Sequence, residues 1–161
     1  MCPGKSAVKN IILDSWSILA WLEGESQGEK VKDLVHWVDG KRSLDLERRI
    51  KNLIGDSKIE RIRLFINIIN LGEVFCILGR RKGEEEANET ISEIKESPIE
   101  VIPASNSLVF KATSLKVRYS IAYADAFAIA TAIARKGFLL TGNPELKGLK
   151  DVPIIWIGER R

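Results

Sequence analysis

"YADAFAIATAIARKGFLLTG", residues 123–142, decides the fold. Between Tyr123 and Ala134 everything except Asp125 and Thr131 is apolar, so a helix here is buried on more than one side. Gly137 stops it, and "FLLTG" (138–142) follows as a short buried strand. A buried helix that hands over directly to a buried strand points to an α/β protein. The stretch also poses a problem. An ionised carboxylate buried alone is costly, so Asp125 needs a partner, a ligand or an open edge.

Similar apolar runs recur at "VKNIIL" (8–13), "RLFINII" (63–69) and "VPIIWI" (152–157). "IEVIP" (99–103) is a further candidate, which Pro103 confines to a short or edge strand. Helical patterns fill the intervals, with glycine or proline at their ends: "SWSILAWLEG", "EKVKDLVHWVDG", "LDLERRIKNLIG", "LGEVFCILGRRKG", "EEEANETISEIKES" and "SNSLVFKATSLKVRY". Strands alternating with helices predict an α/β sandwich around a mostly parallel sheet. The 161 residues carry no repeats, low-complexity tracts or linkers, which predicts one domain spanning residues 1–161.

Composition narrows the chemistry. The net charge is +3, from 25 basic against 22 acidic residues, which permits an anionic partner without demanding one. Cys2 and Cys76 are too few and too far apart for a disulfide framework or a zinc site, and Cys76 reads as core packing. His36 is the sole histidine, so mechanisms that need two imidazoles are excluded; it reads as a helix-face residue. No stretch approaches a membrane span and the first residues lack an apolar signal core, which predicts a cytoplasmic protein with no membrane partner. The basic-rich segment 41–63 reads as a solvated helix face in preference to a nucleic-acid surface.

Open α/β sheets place their sites beyond the carboxyl ends of the strands. Four polar residues are expected there: Asp14 after "NIIL", Glu73 in "NLGE", Asp125 at the start of its helix, and Asn143 in "TGNPEL". Each has a plain structural alternative. Asp14 suits an N-cap, Asn70 and Glu73 resemble a capping box, Asp125 could complement a helix dipole, and Asn143 before Pro144 suits a turn. Taken together they point elsewhere. Clustered carboxylates repel and ionise together only beside a cation. Oxygen ligands without histidine or cysteine select Mg²⁺ or Mn²⁺, and such an ion suits phosphodiester hydrolysis by an activated water.

"IILDSWSILAWL", "INIINLGEVFCIL", "SIAYADAFAIATAIARKG" and "FLLTGNPEL" followed by "IIWI" resemble, in order and context, the PIN-domain family and within it the VapC-type toxins of toxin–antitoxin modules. The resemblance spans about residues 9–157. It implies a PIN-like three-layer α/β/α sandwich with about five strands, and Mg²⁺- or Mn²⁺-dependent cleavage of RNA. It also implies homodimers and a small antitoxin partner that binds near the active site. Asp14, Glu73 and Asp125 match three of the family's acidic residues, and Ser15 and Thr141 match hydroxyl positions beside the first and last acids. Asn143 departs from the pattern, which commonly has an acid there. An amide oxygen can ligate a metal but brings no charge, so the departure touches catalysis more than fold.

Two readings follow: a metal-dependent endoribonuclease toxin, or a catalytically weak PIN-like module that binds RNA or protein. The first expects RNA contacts from Arg80, Arg81 and Lys82, and from Lys111, Lys116 and Arg118. Receiver-type and aspartyl-phosphatase switches fit poorly, since residue 16 is Trp where the latter wants a second Asp. "GRRKG" is too short for a phosphate loop.

Overall fold

The computed structural model describes residues 8–59 and 61–159. Cys2, read above from sequence, lies outside them. Five strands form one sheet: β1 (Val8–Leu13), β2 (Arg61–Asn67), β3 (Ile99–Ile102), β4 (Phe138–Thr141) and β5 (Ile154–Trp156). Their order is β3-β2-β1-β4-β5 and every pairing is parallel. The strands are short and apolar because both faces of the sheet are covered.

One face carries α1 (Ser15–Leu22), α2 (Gly28–Val38), α3 (Leu44–Ile54), α4 (Ile68–Lys82) and α5 (Glu84–Glu96). Ile18, Leu34, Ile50, Val74 and Ile94 from these helices form a continuous core with Ile11, Leu13, Leu64 and Ile66. The other face carries α6 (Asn106–Arg118) and α7 (Tyr123–Ala134), packed on Ile12, Phe65 and Leu139. The α/β sandwich expected from the strand–helix alternation is what the chain forms, with the three layers that the family resemblance implies. No described helix is long and apolar enough to cross a membrane.

The expectation for α7 holds. Every residue from Ala124 to Ala132 is buried, because α7 lies between the sheet, α6 and α4. Elsewhere boundaries moved. β2 starts at Arg61 and ends at Asn67, not at Ile69, because Asn67 turns the chain and its side chain accepts the Ile69 N–H at 2.9 Å. Asn67 is therefore the cap of α4, and the capping box read at Asn70 and Glu73 does not form. Cys76, read as core packing, is exposed: α4 buries the Leu71, Val74 and Leu78 stripe and turns Cys76 outward. His36 sits half-buried in the last turn of α2, as expected. Within the basic segment, Arg48 and Arg49 pair with Asp45, Arg49 with Asp33, Lys51 with Glu47 and Arg63 with Glu100, which supports the solvated-face reading.

The α1–α2 corner depends on one close approach. A Cβ at Gly28 would lie 2.3 Å from the Ala20 carbonyl oxygen and 2.4 Å from the Trp21 Cα, both backbone atoms that cannot swing away. Gly28→Ala is therefore expected to destabilise the fold by about 1–3 kcal/mol in urea denaturation, as overpacking does. Gly72→Ala, with nothing within 4 Å of the added methyl, should leave stability equal or slightly raised.

Candidate active site

Asp14 ends the central strand and starts α1. Its backbone is extended, and one carboxylate oxygen accepts the Ser17 N–H at 2.8 Å as an N-cap. The Ser17 hydroxyl donates to the Asp14 carbonyl at 2.9 Å, which locks the turn. The other carboxylate oxygen accepts the Thr141 hydroxyl from the end of β4. Thr141 Oγ1 in turn accepts the Asn143 N–H at 3.0 Å. Asp14 is fully buried, and burial pushes its carboxyl up to about 6 against the opposing pull of these hydrogen bonds.

Asp125 occupies the third position of α7, whose cap residue Ala122 offers no side-chain bond. It is 8% exposed. Burial first, then the charges of Asp14, Glu73 and Glu145, push its carboxyl up to about 6; a bond from Asn143 Nδ2 at 3.3 Å pulls the other way. Those charges identify the neighbourhood: at the carboxyl ends of the strands Asp125 feels Asp14 from the cap of α1, Glu73 from α4 and Glu145 from the turn after β4. Glu73 stands half-buried on the first turns of α4. Glu145 is exposed in the short 3₁₀ turn Pro144–Leu146, the helical turn expected of "PEL".

Asn143 uses both ends of its amide. Its oxygen accepts the Glu145 N–H at 3.1 Å, capping the 3₁₀ turn, and its nitrogen faces Asp125. An NH₂ group thus stands against the Asp125 carboxylate where an acid would add repulsion.

Sequence reasoning missed Asn70. It is fully buried; its Nδ2 donates to the Ala124 carbonyl at 3.0 Å and lies 3.3 Å from Ser15 Oγ. The Ser15 hydroxyl donates to the Asn70 carbonyl at 3.2 Å. One side chain thereby ties the starts of α1, α4 and α7, the three helices that carry Asp14, Glu73 and Asp125. The available signal was a second asparagine in an apolar run, three residues after Asn67 in "NIIN". Asn70 Oδ1 is buried without a hydrogen-bond partner among the described residues.

The basic candidates fall outside this cluster. Arg81 pairs with Glu23, Lys82 with Glu86 at 3.1 Å and Arg118 with Asp151 at 3.3 Å, while Lys116 donates to the Ile121 carbonyl at 2.6 Å. Arg80 makes no ion pair among the described residues, and Lys111 lies on exposed α6 surface.

Among the described residues, no three His, Cys, Asp or Glu side chains stand at metal-holding distance. Asp14 is engaged by Ser17 and Thr141, and Asp125 by Asn143. The donor set still fits a hard divalent ion: all its ligating atoms are oxygens, and two buried carboxyls resist ionisation beside each other without a cation.

A family model described as PIN domain matches residues 34–152. The matched span begins after Asp14, so the first acid enters the site through the fold's geometry. No curated protein sequence matches the chain. Among solved structures, the fold is similar to VapBC-1 from nontypeable Haemophilus influenzae, at 14% identity over 92% of this chain and 98% of that one, with a TM-score of 0.61. It is similar to a toxin–antitoxin complex from Klebsiella pneumoniae (14% identity, 93% and 99% covered, TM-score 0.57). It is also similar to VapC20 from Mycobacterium tuberculosis, described as a sarcin–ricin loop cleaving toxin (18% identity, 88% and 98% covered, TM-score 0.55). At these identities the likeness establishes the fold alone.

The raised carboxyls set a stability profile. A carboxyl whose folded pKa is raised favours the fold when protonated, so its support is complete below about 3.8 and lost as pH rises through about 6. In EDTA at pH 7.5, Asp125→Asn should therefore be more stable than the wild type by on the order of 2–3 kcal/mol, with the gap closing at pH 4. Urea midpoints at the two pH values read this directly. Mg²⁺ should raise the wild-type midpoint at pH 7.5 and leave the variant's unmoved.

Proposed function

The chain belongs to the PIN-domain family, and from that premise we propose that it is a metal-dependent endoribonuclease, the toxin of a toxin–antitoxin pair. The observation that carries the reading is the convergence of Asp14, Glu73, Asp125 and Asn143 at the mouth of the sheet, with Asp125 feeling the charge of its neighbours. Several of the similar structures are toxins with their antitoxins, which supports a small antitoxin partner, and the family resemblance supports a homodimer.

Asp14, Asp125 and Asn143 would hold Mg²⁺ or Mn²⁺, with Glu73 completing the set. When bound, such an ion supplies Lewis acidity to a phosphodiester and to the water that attacks it. The chain's own groups do the rest. Ser17 and Thr141 fix the Asp14 carboxylate by two hydrogen bonds, so it is held in place rather than recruited. Glu73, half-buried and free of an ion pair among the described residues, would orient the water and accept its proton. Ser15, buried and bonded to the Asn70 carbonyl, would support the cluster through Asn70.

A second reading, a PIN-like RNA- or protein-binding module with weak catalysis, is favoured by one observation: the Asn143 amide oxygen is committed to the 3₁₀ turn. Both readings answer to the same experiment. Purified protein with Mn²⁺ or Mg²⁺ is expected to cut a mixed RNA substrate, and EDTA or Asp14→Asn should abolish cutting while circular dichroism stays native. Metal binding without cutting would establish the second reading. Asn143→Asp is expected to tighten Mn²⁺ binding by about ten-fold or more in calorimetry; unchanged affinity would place Asn143 outside the metal's ligands.

A further inference from the structure

Beside the acids lies a second cleft of roughly 400 Å³, between the start of α1, the loop after β4 and the end of β5. Its size is that of small-ligand sites, which span about 300–1,000 Å³. Trp16 and Trp156 line it, with Gly142 between them, and Glu25, Gln27, Lys147 and Glu159 around the rim.

Its floor is continuous with the acid cluster. Trp16 follows Asp14 and Ser15 on the first turn of α1, and its ring lies on Gly142: a Cβ there would come within 2.3 Å of two ring carbons. Gly142 joins Thr141, which binds Asp14, to Asn143, which binds Asp125. Trp156 pairs with Thr141 in the sheet register, and its ring packs on Gly158, where a Cβ would meet the ring at 2.5 Å. The Trp156 indole N–H reaches the Glu159 carbonyl at 3.4 Å, and the Lys147 ammonium stands 5.5 Å from the Trp156 ring centroid. Two glycines thus make room for two half-buried indoles directly beside the acids.

The rim carries two carboxylates against one ammonium, a balance that repels a phosphate. Carboxylates accept hydrogen bonds and do not donate them, and the Gln27 amide oxygen already takes the Ser26 hydroxyl at 3.1 Å, so the two carboxylates are the rim's acceptors. The complementary ligand is a flat, uncharged aromatic group with N–H donors on its edge. Single-stranded RNA is recognised by stacking its bases on aromatic side chains and reading their edges.

We propose that this cleft is a stacking subsite for one nucleobase of single-stranded RNA, next to the phosphodiester that the acids address. The inference rests on the ribonuclease reading and extends it to how the substrate is held.

The test is binding, measured in EDTA so that no cleavage is needed. GMP, whose base edge carries adjacent N–H donors, is titrated into ¹⁵N-tryptophan-labelled protein. The chain has four tryptophans, and the indole signals of Trp16 and Trp156 are expected to move while that of Trp37 stays still. Ribose 5-phosphate should leave all four unmoved. Trp156→Leu is expected to weaken GMP binding by about ten-fold or more, and Trp156→Phe to restore most of it. Movement of Trp37 with Trp16 and Trp156 unchanged, or an equal response to ribose 5-phosphate, would overturn the subsite. The wild-type spectra keep the test valid even if a variant fails to fold. An indole response without RNA cutting in Mn²⁺ would leave the cleft a base-binding site and refute the nuclease; cutting without an indole response would refute the cleft alone.

Discussion

A single fully buried carboxylate, that of Asp14, joins the structure to its chemistry. It ends the central strand, caps α1 through Ser17, and takes the Thr141 hydroxyl from the end of the neighbouring strand. Thr141 orders Asn143, and Asn143 reaches Asp125. Two strands, two helices and a loop are therefore registered against one another through a group that burial makes reluctant to ionise. Hydrogen bonds to a carboxylate are stronger than neutral ones, and here they offset part of a desolvation cost that still prevails.

Asn143 changes the balance of that cluster. An amide donates to Asp125 where a carboxylate would repel it, so the metal-free fold carries less strain than a fourth buried-edge acid would impose. The same substitution removes a negative charge from the set that would hold a divalent ion. Stability of the empty site and grip on the metal pull in opposite directions here.

Much of this was legible in the sequence because its signals are strong. The run 123–134, apolar but for Asp125 and Thr131, could only be a helix buried on several sides, and α7 is one. Asp14 and Asp125 stood out as charges at the edges of apolar runs. What failed were features that depend on rotation or register. Cys76 sits in an apolar helix, but the face that α4 buries is set by Leu71, Val74 and Leu78. Asn67 and Asn70 compete for the same role, and only the end of β2 decides between them. The Asn70 bridge was invisible because its partners, Ser15 and Ala124, lie more than fifty residues away on either side. Trp16 and Trp156 are farther apart still in sequence, and it took the sheet order to bring them to one cleft.

The Asp14–Thr141 bond spans 127 residues. Translation at about 5–20 residues per second separates the two by roughly 6–25 s. Through that interval β1 has emerged without its β4 neighbour, and the acids have no common frame. Asn143 and both halves of the tryptophan cleft depend on the same late segment. The acids therefore lack their shared frame until residues 138–143 have been made, a delay set by topology alone.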